Sequence, residues 1–77
     1  MTIGRYIKMK MSERGINQID LAEMAGFKNQ SNISMLLRDN SNMRLNSLFS
    51  LLDALNCELV IRDKATQRSD TIEQNIN

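Results

Sequence analysis

The sequence predicts an all-α domain of four helices closed by one short β-strand. Three observations carry this expectation. Apolar residues recur at three- and four-residue spacing in four separate segments. Proline is absent and only three glycines occur, so helices run unobstructed and each glycine marks a possible stop. After residue 56 the helical period gives way to a short β-branched run. With 77 residues the chain is one domain at most, and one this small buries only roughly 60% of its unfolded surface.

The first helix follows from Ile3, Tyr6, Ile7, Lys10, Met11 and Arg14, with Thr2 as N-cap and Gly15 as stop. Met9 falls off that stripe, and Gly4 costs some helix stability relative to alanine. The second helix opens at Asn17, a good N-cap, with the Asp20 carboxylate in the first turn where the helix dipole favours it. Leu21, Ala22, Met24 and Ala25 form its apolar face, Gly26 closes it, and Phe27 supplies the hydrophobic contact that accompanies such a cap. A third helix starts near Asn29 or Gln30, carries Ile33, Leu36 and Leu37, and ends near Arg38. Residues 39–42 read as loop. The fourth helix buries Leu45, Leu48, Phe49, Leu52 and Leu55, with Leu51 flanking, and ends at Asn56, which tolerates the left-handed conformation.

The strand follows within residues 57–63. Nothing else in the chain looks like a strand, and a lone strand leaves its backbone groups unsatisfied. Its economical partner is the same strand of a second copy, through Leu59, Val60 and Ile61. The expected organisation is therefore a domain over residues 1–63, including this dimerisation strand, and a flexible tail over 64–77 with little to bury beyond Ile72 and Ile76.

Composition excludes several function classes. Histidine is absent and cysteine occurs once, which removes Cys/His zinc sites, disulfide frameworks and nucleophile–histidine mechanisms. Glu13, Asp20 and Glu23 do not form a metal cluster, since helix-start electrostatics accounts for Asp20 and Glu23. No cofactor, metal or enzymatic activity is expected. No membrane span or signal peptide is read, and the expected location is the cytoplasm. Cys57 reads as a small, buried or half-buried hydrophobe, and Met11 and Met24 as fillers of an irregular core. The net charge of +1 decides little. Arg5, Lys8, Lys10 and Arg14 in one segment, and Lys28, Arg38 and Arg44 in another, are open to two readings: a solvated surface, or contact with a polyanion.

Two short helices joined by a glycine turn, the second opening with polar side chains, form the physical pattern of a helix-turn-helix DNA reader. Ala22 is small where steeply crossed helices approach. Gly26 permits the tight turn, and Leu21, Ala25, Ile33 and Leu36 fill the wedge. The run from Asn17 to Phe27, followed by Ile33-Ser34 and by Leu48 to Leu55, resembles the Cro/cI-type (XRE) repressor family over residues 1–56. The match rests on Gln18, Leu21-Ala22, Gly26, Ile33-Ser34 and a leucine-rich fourth helix ending in Ala54-Leu55. The resemblance implies a lambda-repressor-like fold. Three departures stand out: the stretch from Gly26 to Ile33 is one residue longer than usual, Asn56 replaces a common glycine, and a strand replaces the fifth helix often used for dimerisation. The last feature is similar to antitoxin-type members whose C-terminal strands pair between protomers.

The resemblance implies double-stranded DNA as partner, a homodimer, and repression at a palindromic operator, with recognition helices about 34 Å apart. Base readout falls to Gln30, Ser31 and Asn32, with Ser34 or Met35 reaching the groove. This assignment places the additional residue in the turn, at Lys28 or Asn29; an insertion inside the helix shifts it by one position. Phosphate anchoring falls to Asn17 and Gln18, to Lys28 and Asn29 in the turn, and to Arg38, Asn40, Asn42 and Arg44 after the third helix. The bland alternatives are that residues 29–32 only cap a helix and that Arg38 and Arg44 are solvated charge. Most of Arg5, Lys8 and Lys10 are expected to make no direct contact. The rival function is a protein-binding module, an antitoxin or enzyme inhibitor acting through the strand or tail on a toxin or other protein partner.

Overall fold

The computed structural model describes residues 1–28, 30–38 and 42–74, with the backbone alone for residues 30–32. Four helices come first: α1 (Ile3–Arg14), α2 (Gln18–Ala25), α3 (Gln30–Leu36) and α4 (Leu45–Ala54). A two-stranded antiparallel sheet follows, β1 (Leu59–Arg62) and β2 (Ser69–Ile72).

The helix ends are written locally. The Thr2 hydroxyl accepts the Arg5 N–H at the start of α1. Gly15 (φ 64°), Gly26 (φ 79°) and Asn56 (φ 54°) each adopt the left-handed conformation just past a helix. In each case the following N–H reaches back to the last turn: Ile16 to the Met11 carbonyl at 3.0 Å, Phe27 to Ala22 at 2.8 Å, Cys57 to Leu52 at 2.8 Å. These bonds satisfy carbonyls that a helix terminus otherwise leaves open.

One core joins all four helices. Ile7, Leu21, Ile33, Leu37, Leu51 and Leu55 are fully buried at its centre, with Met11 and Ala22 beside them. Ile16, Ala25, Phe27, Leu36, Met43, Leu48 and Cys57 pack around the edge. Gly4 is buried too, and its lack of a side chain lets the start of α1 lie directly on the Leu37 carbonyl.

Several expectations are corrected. Leu51 is not a flanking residue but fully buried, whereas Leu45 is 58% exposed. Leu48, Leu51, Leu52 and Leu55 form the stripe that meets the core, and Leu45 at the first position of α4 lies beyond it. Met24 does not fill the core: it is 55% exposed, because the eight-residue α2 turns only Leu21, Ala22 and Ala25 inward. Ile3, at the head of the apolar stripe of α1, is exposed, and that stripe is buried only at Ile7 and Met11.

The largest correction concerns the strand, which is not alone. Leu59 pairs with Ile72, Val60 with Thr71, Ile61 with Asp70 and Arg62 with Ser69. Part of the stretch expected as tail thus supplies the second strand. Asp63 nucleates the connecting turn: its Oδ1 accepts from the N–H groups of Ala65 and Thr66, and its carbonyl accepts from Gln67. Phe49 and Leu52 of α4 line a shared cleft with Leu59 and Ile72 of the hairpin. Gln74 Nε2 donates to Asn46 Oδ1 at 3.1 Å, tying the end of the hairpin to α4. Ile76 lies outside the described residues.

Candidate nucleic-acid interface

The helix-turn-helix is built from α2, the turn after Gly26 and α3. At the start of α2 the Asn17 Oδ1 accepts the Asp20 N–H at 2.8 Å, and Asp20 Oδ2 accepts the Asn17 N–H at 3.1 Å. This reciprocal box fixes the helix entry and leaves the N–H groups of Gln18 and Ile19 for an external acceptor. The Asn17 oxygen is occupied by capping, so its Nδ2 is the group that suits a phosphate. Gln18 is half-buried.

Gly26 ends α2, and α3 begins at Gln30, so residues 30–32 form its first turn and Lys28 lies ahead of it. Leu37 and Arg38 continue past α3 as turn and bend, with the Leu37 N–H donating to the Ile33 carbonyl. Ile33 and Leu37 pin one side of α3 to the core. Ser34, Met35 and Arg38 are exposed on the other side. Successive residues step about 100° around a helix, which places Met35 about 200° from Ile33, nearly opposite the core.

Lys28, Arg38, Asn42 and Arg44 are all exposed. Among the described residues no carboxylate pairs with Lys28, Arg38 or Arg44. Among the α1 cations, Lys10 differs. Lys10 is held 3.0 Å from Glu13 and lies 5.7 Å from the centre of the Tyr6 ring. Its ammonium pKa is raised above the ordinary range, chiefly by the Glu13 carboxylate. Asn29 and Asn40 lie outside the described residues, as do the side chains of Gln30, Ser31 and Asn32.

Cys57 is half-buried next to the core and donates its thiol to the Leu55 carbonyl. Its sulfur also lies 3.7 Å from the Tyr6 hydroxyl, a contact that raises the Tyr6 pKa. No group of potential metal ligands is found among the described residues. Among them too, no helix is long and apolar enough to cross a membrane.

Two features escaped the sequence reading. The Asn17–Asp20 pair forms a full capping box, and its signal was an N-cap residue followed three positions later by a carboxylate. Gly4 seats α1 on the end of α3, and only the close approach of two backbones reveals that role.

Two helices packed across a tight glycine turn, the second presenting a solvent-facing side beside exposed cations, define a DNA-binding module. A family model for the Cro/C1-type HTH DNA-binding domain matches residues 6–60, and the chain belongs to this family. Membership supports DNA-binding transcriptional regulation. Comparison with curated proteins and with solved structures gives no match.

Proposed function

We propose that the protein is a cytoplasmic, sequence-specific repressor that binds a palindromic operator as a symmetric dimer. The observation that carries this reading is the outward side of α3, where Ser34, Met35 and Arg38 are exposed opposite the buried Ile33 and Leu37. Gln30, Ser31, Asn32, Ser34 and Met35 contact base edges. Asn17, Gln18, Lys28, Asn29, Arg38, Asn40, Asn42 and Arg44 hold the phosphates on either side. Repression follows from occupying a promoter.

Dimerisation runs through β1. The Asp63 N–H donates to the Arg68 carbonyl at 2.7 Å, which makes 63/68 a hydrogen-bonded pair. Such pairs alternate along an antiparallel ladder, so 61/70 and 59/72 are bonded likewise. The backbone groups of Val60 and Arg62 then point away from β2, towards a second copy. Antiparallel self-pairing centred on Val60 sets Glu58 of one protomer opposite Arg62 of its partner. Centring on Arg62 instead sets two arginines face to face, which is unfavourable. Val60 and Ile61 bring exposed apolar surface to this contact, while Leu59 also serves the cleft against α4.

The test is selection of duplexes from a random library, followed by gel shifts over a salt series. The expected result is a competitor-resistant complex whose affinity falls with salt at a slope near −0.9 per phosphate contacted. Gln30→Ala with Ser31→Ala should abolish selectivity while retaining the salt-sensitive component. Failure to enrich any duplex overturns the reading.

The exposed apolar Val60 and Ile61 on a strand edge favour one second reading, a protein partner bound by strand addition. An antitoxin-like role of that kind is compatible with repression. Val60→Lys would weaken partner binding there and leave α3 unchanged.

A further inference from the structure

Met35 is 58% exposed, and it stands at the apex of α3 with exposed Ser34 and Arg38 as its neighbours on that side. A thioether side chain donates no hydrogen bond and accepts only weakly, so it cannot read the polar edges of bases. The major groove offers one apolar feature in unmodified DNA, the 5-methyl group of thymine. We infer that Met35 is a specificity-determining residue that packs against a thymine methyl in each half-site. This inference rests on the DNA-binding reading above and names the chemistry that one of its residues recognises.

The position suits the role on geometric grounds. Ile33 and Leu37 fix the helix from behind, so the Met35 side chain projects from a backbone anchored to the core. Its three rotatable bonds let the terminal methyl adapt to a methyl group of fixed position. Recognition of this kind depends on shape and dehydration and not on charge. It therefore leaves the salt dependence untouched, unlike any contact made by Lys28, Arg38 or Arg44.

The test uses the full chain and the duplex that library selection enriches. Each thymine is replaced in turn by deoxyuridine, which removes only the methyl group. One thymine in each half-site should respond, with binding about fourfold weaker per replaced methyl, the factor expected for losing one buried carbon. Met35→Ala should bind thymine and deoxyuridine duplexes equally, with an unchanged salt slope, and Met35→Leu should restore the preference. Because Met35 is exposed, these variants should fold, as circular dichroism checks. The inference is overturned if the enriched duplex lacks thymine or if no deoxyuridine replacement weakens the wild type. It is overturned equally if Met35→Ala keeps the same preference. Absence of any enriched duplex removes the DNA reading itself, and this inference with it.

Discussion

Replacing Gly4 with alanine sets two effects of opposite sign against each other. In an isolated helix the change is favourable by about 1 kcal/mol at most, because alanine is the better helix former. In this protein the new Cβ would land on the Leu37 carbonyl oxygen, 2.7 Å from the carbonyl carbon and 3.2 Å from Leu37 Cα. All three are backbone atoms of a fully buried residue, so no side chain can rotate out of the way. Carbon pairs prefer about 3.5–4.0 Å, so α1 and the end of α3 must separate by roughly 1 Å. Overpacking of this kind costs about 1–3 kcal/mol, and the larger values apply when backbone must move. The net expectation for Gly4→Ala is a loss of about 1–2 kcal/mol. In a domain this small that lowers the melting temperature by roughly 5–15 °C. Thermal and urea unfolding followed by far-ultraviolet circular dichroism measures it. Met9→Ala, an exposed change in the same helix, should stay within about 0.5 kcal/mol and serves as control. A Gly4→Ala protein that melts at or above the wild-type temperature would refute the claim that α1 is seated on Leu37.

Leu51→Ala should cost about 2–5 kcal/mol, a large share of the roughly 4–12 kcal/mol available to a chain this long, while Leu45→Ala should change little; the same unfolding curves decide it. Asn56→Gly relieves a left-handed residue and should add up to about 1 kcal/mol, whereas Asn56→Ala should lose about as much. Tyr6 is the only tyrosine in a chain without tryptophan, so its ionisation can be followed directly by ultraviolet absorbance. It should titrate above the ordinary value of 10.0 because of the contact with Cys57, and Cys57→Ala should bring it back towards that value. The sign follows from linkage: this contribution to stability is intact below pH 10 and is lost as pH rises through the native value. In the proposed dimer, Arg62→Glu should raise the dissociation constant measured by sedimentation, and adding Glu58→Arg should restore it.

What the sequence revealed was what short stretches of chain decide. Helix ends are local, so Asn17 with Asp20, Gly15, Gly26 and Asn56 announced three of the four helices before any packing was known. The helix-turn-helix was legible for the same reason, since its turn, its small residue at Ala22 and its apolar wedge lie within some twenty consecutive positions. Facing was harder. Six of the ten residues in α4 are apolar, so the stripe is too broad for periodicity to say which edge meets the core, and Leu45 and Leu51 exchanged roles.

Long-range pairing was hidden altogether, and it changes the argument about assembly. Ser69, Asp70 and Thr71 have little of the composition of a buried strand; β2 exists because Leu59 and Ile72 share a cleft with Phe49 and Leu52 and because Asp63 closes the turn. The unsatisfied lone strand was the reason for invoking a second copy, and the hairpin removes that reason by pairing one edge of β1 within the chain. A sheet of two strands still has open edges, and the groups at Val60 and Arg62 remain directed outward on the β1 side. The case for a dimer thus no longer rests on a backbone with no partner. It rests on an apolar edge whose flanking charges, Glu58 and Arg62, complement each other only when two copies meet antiparallel about Val60.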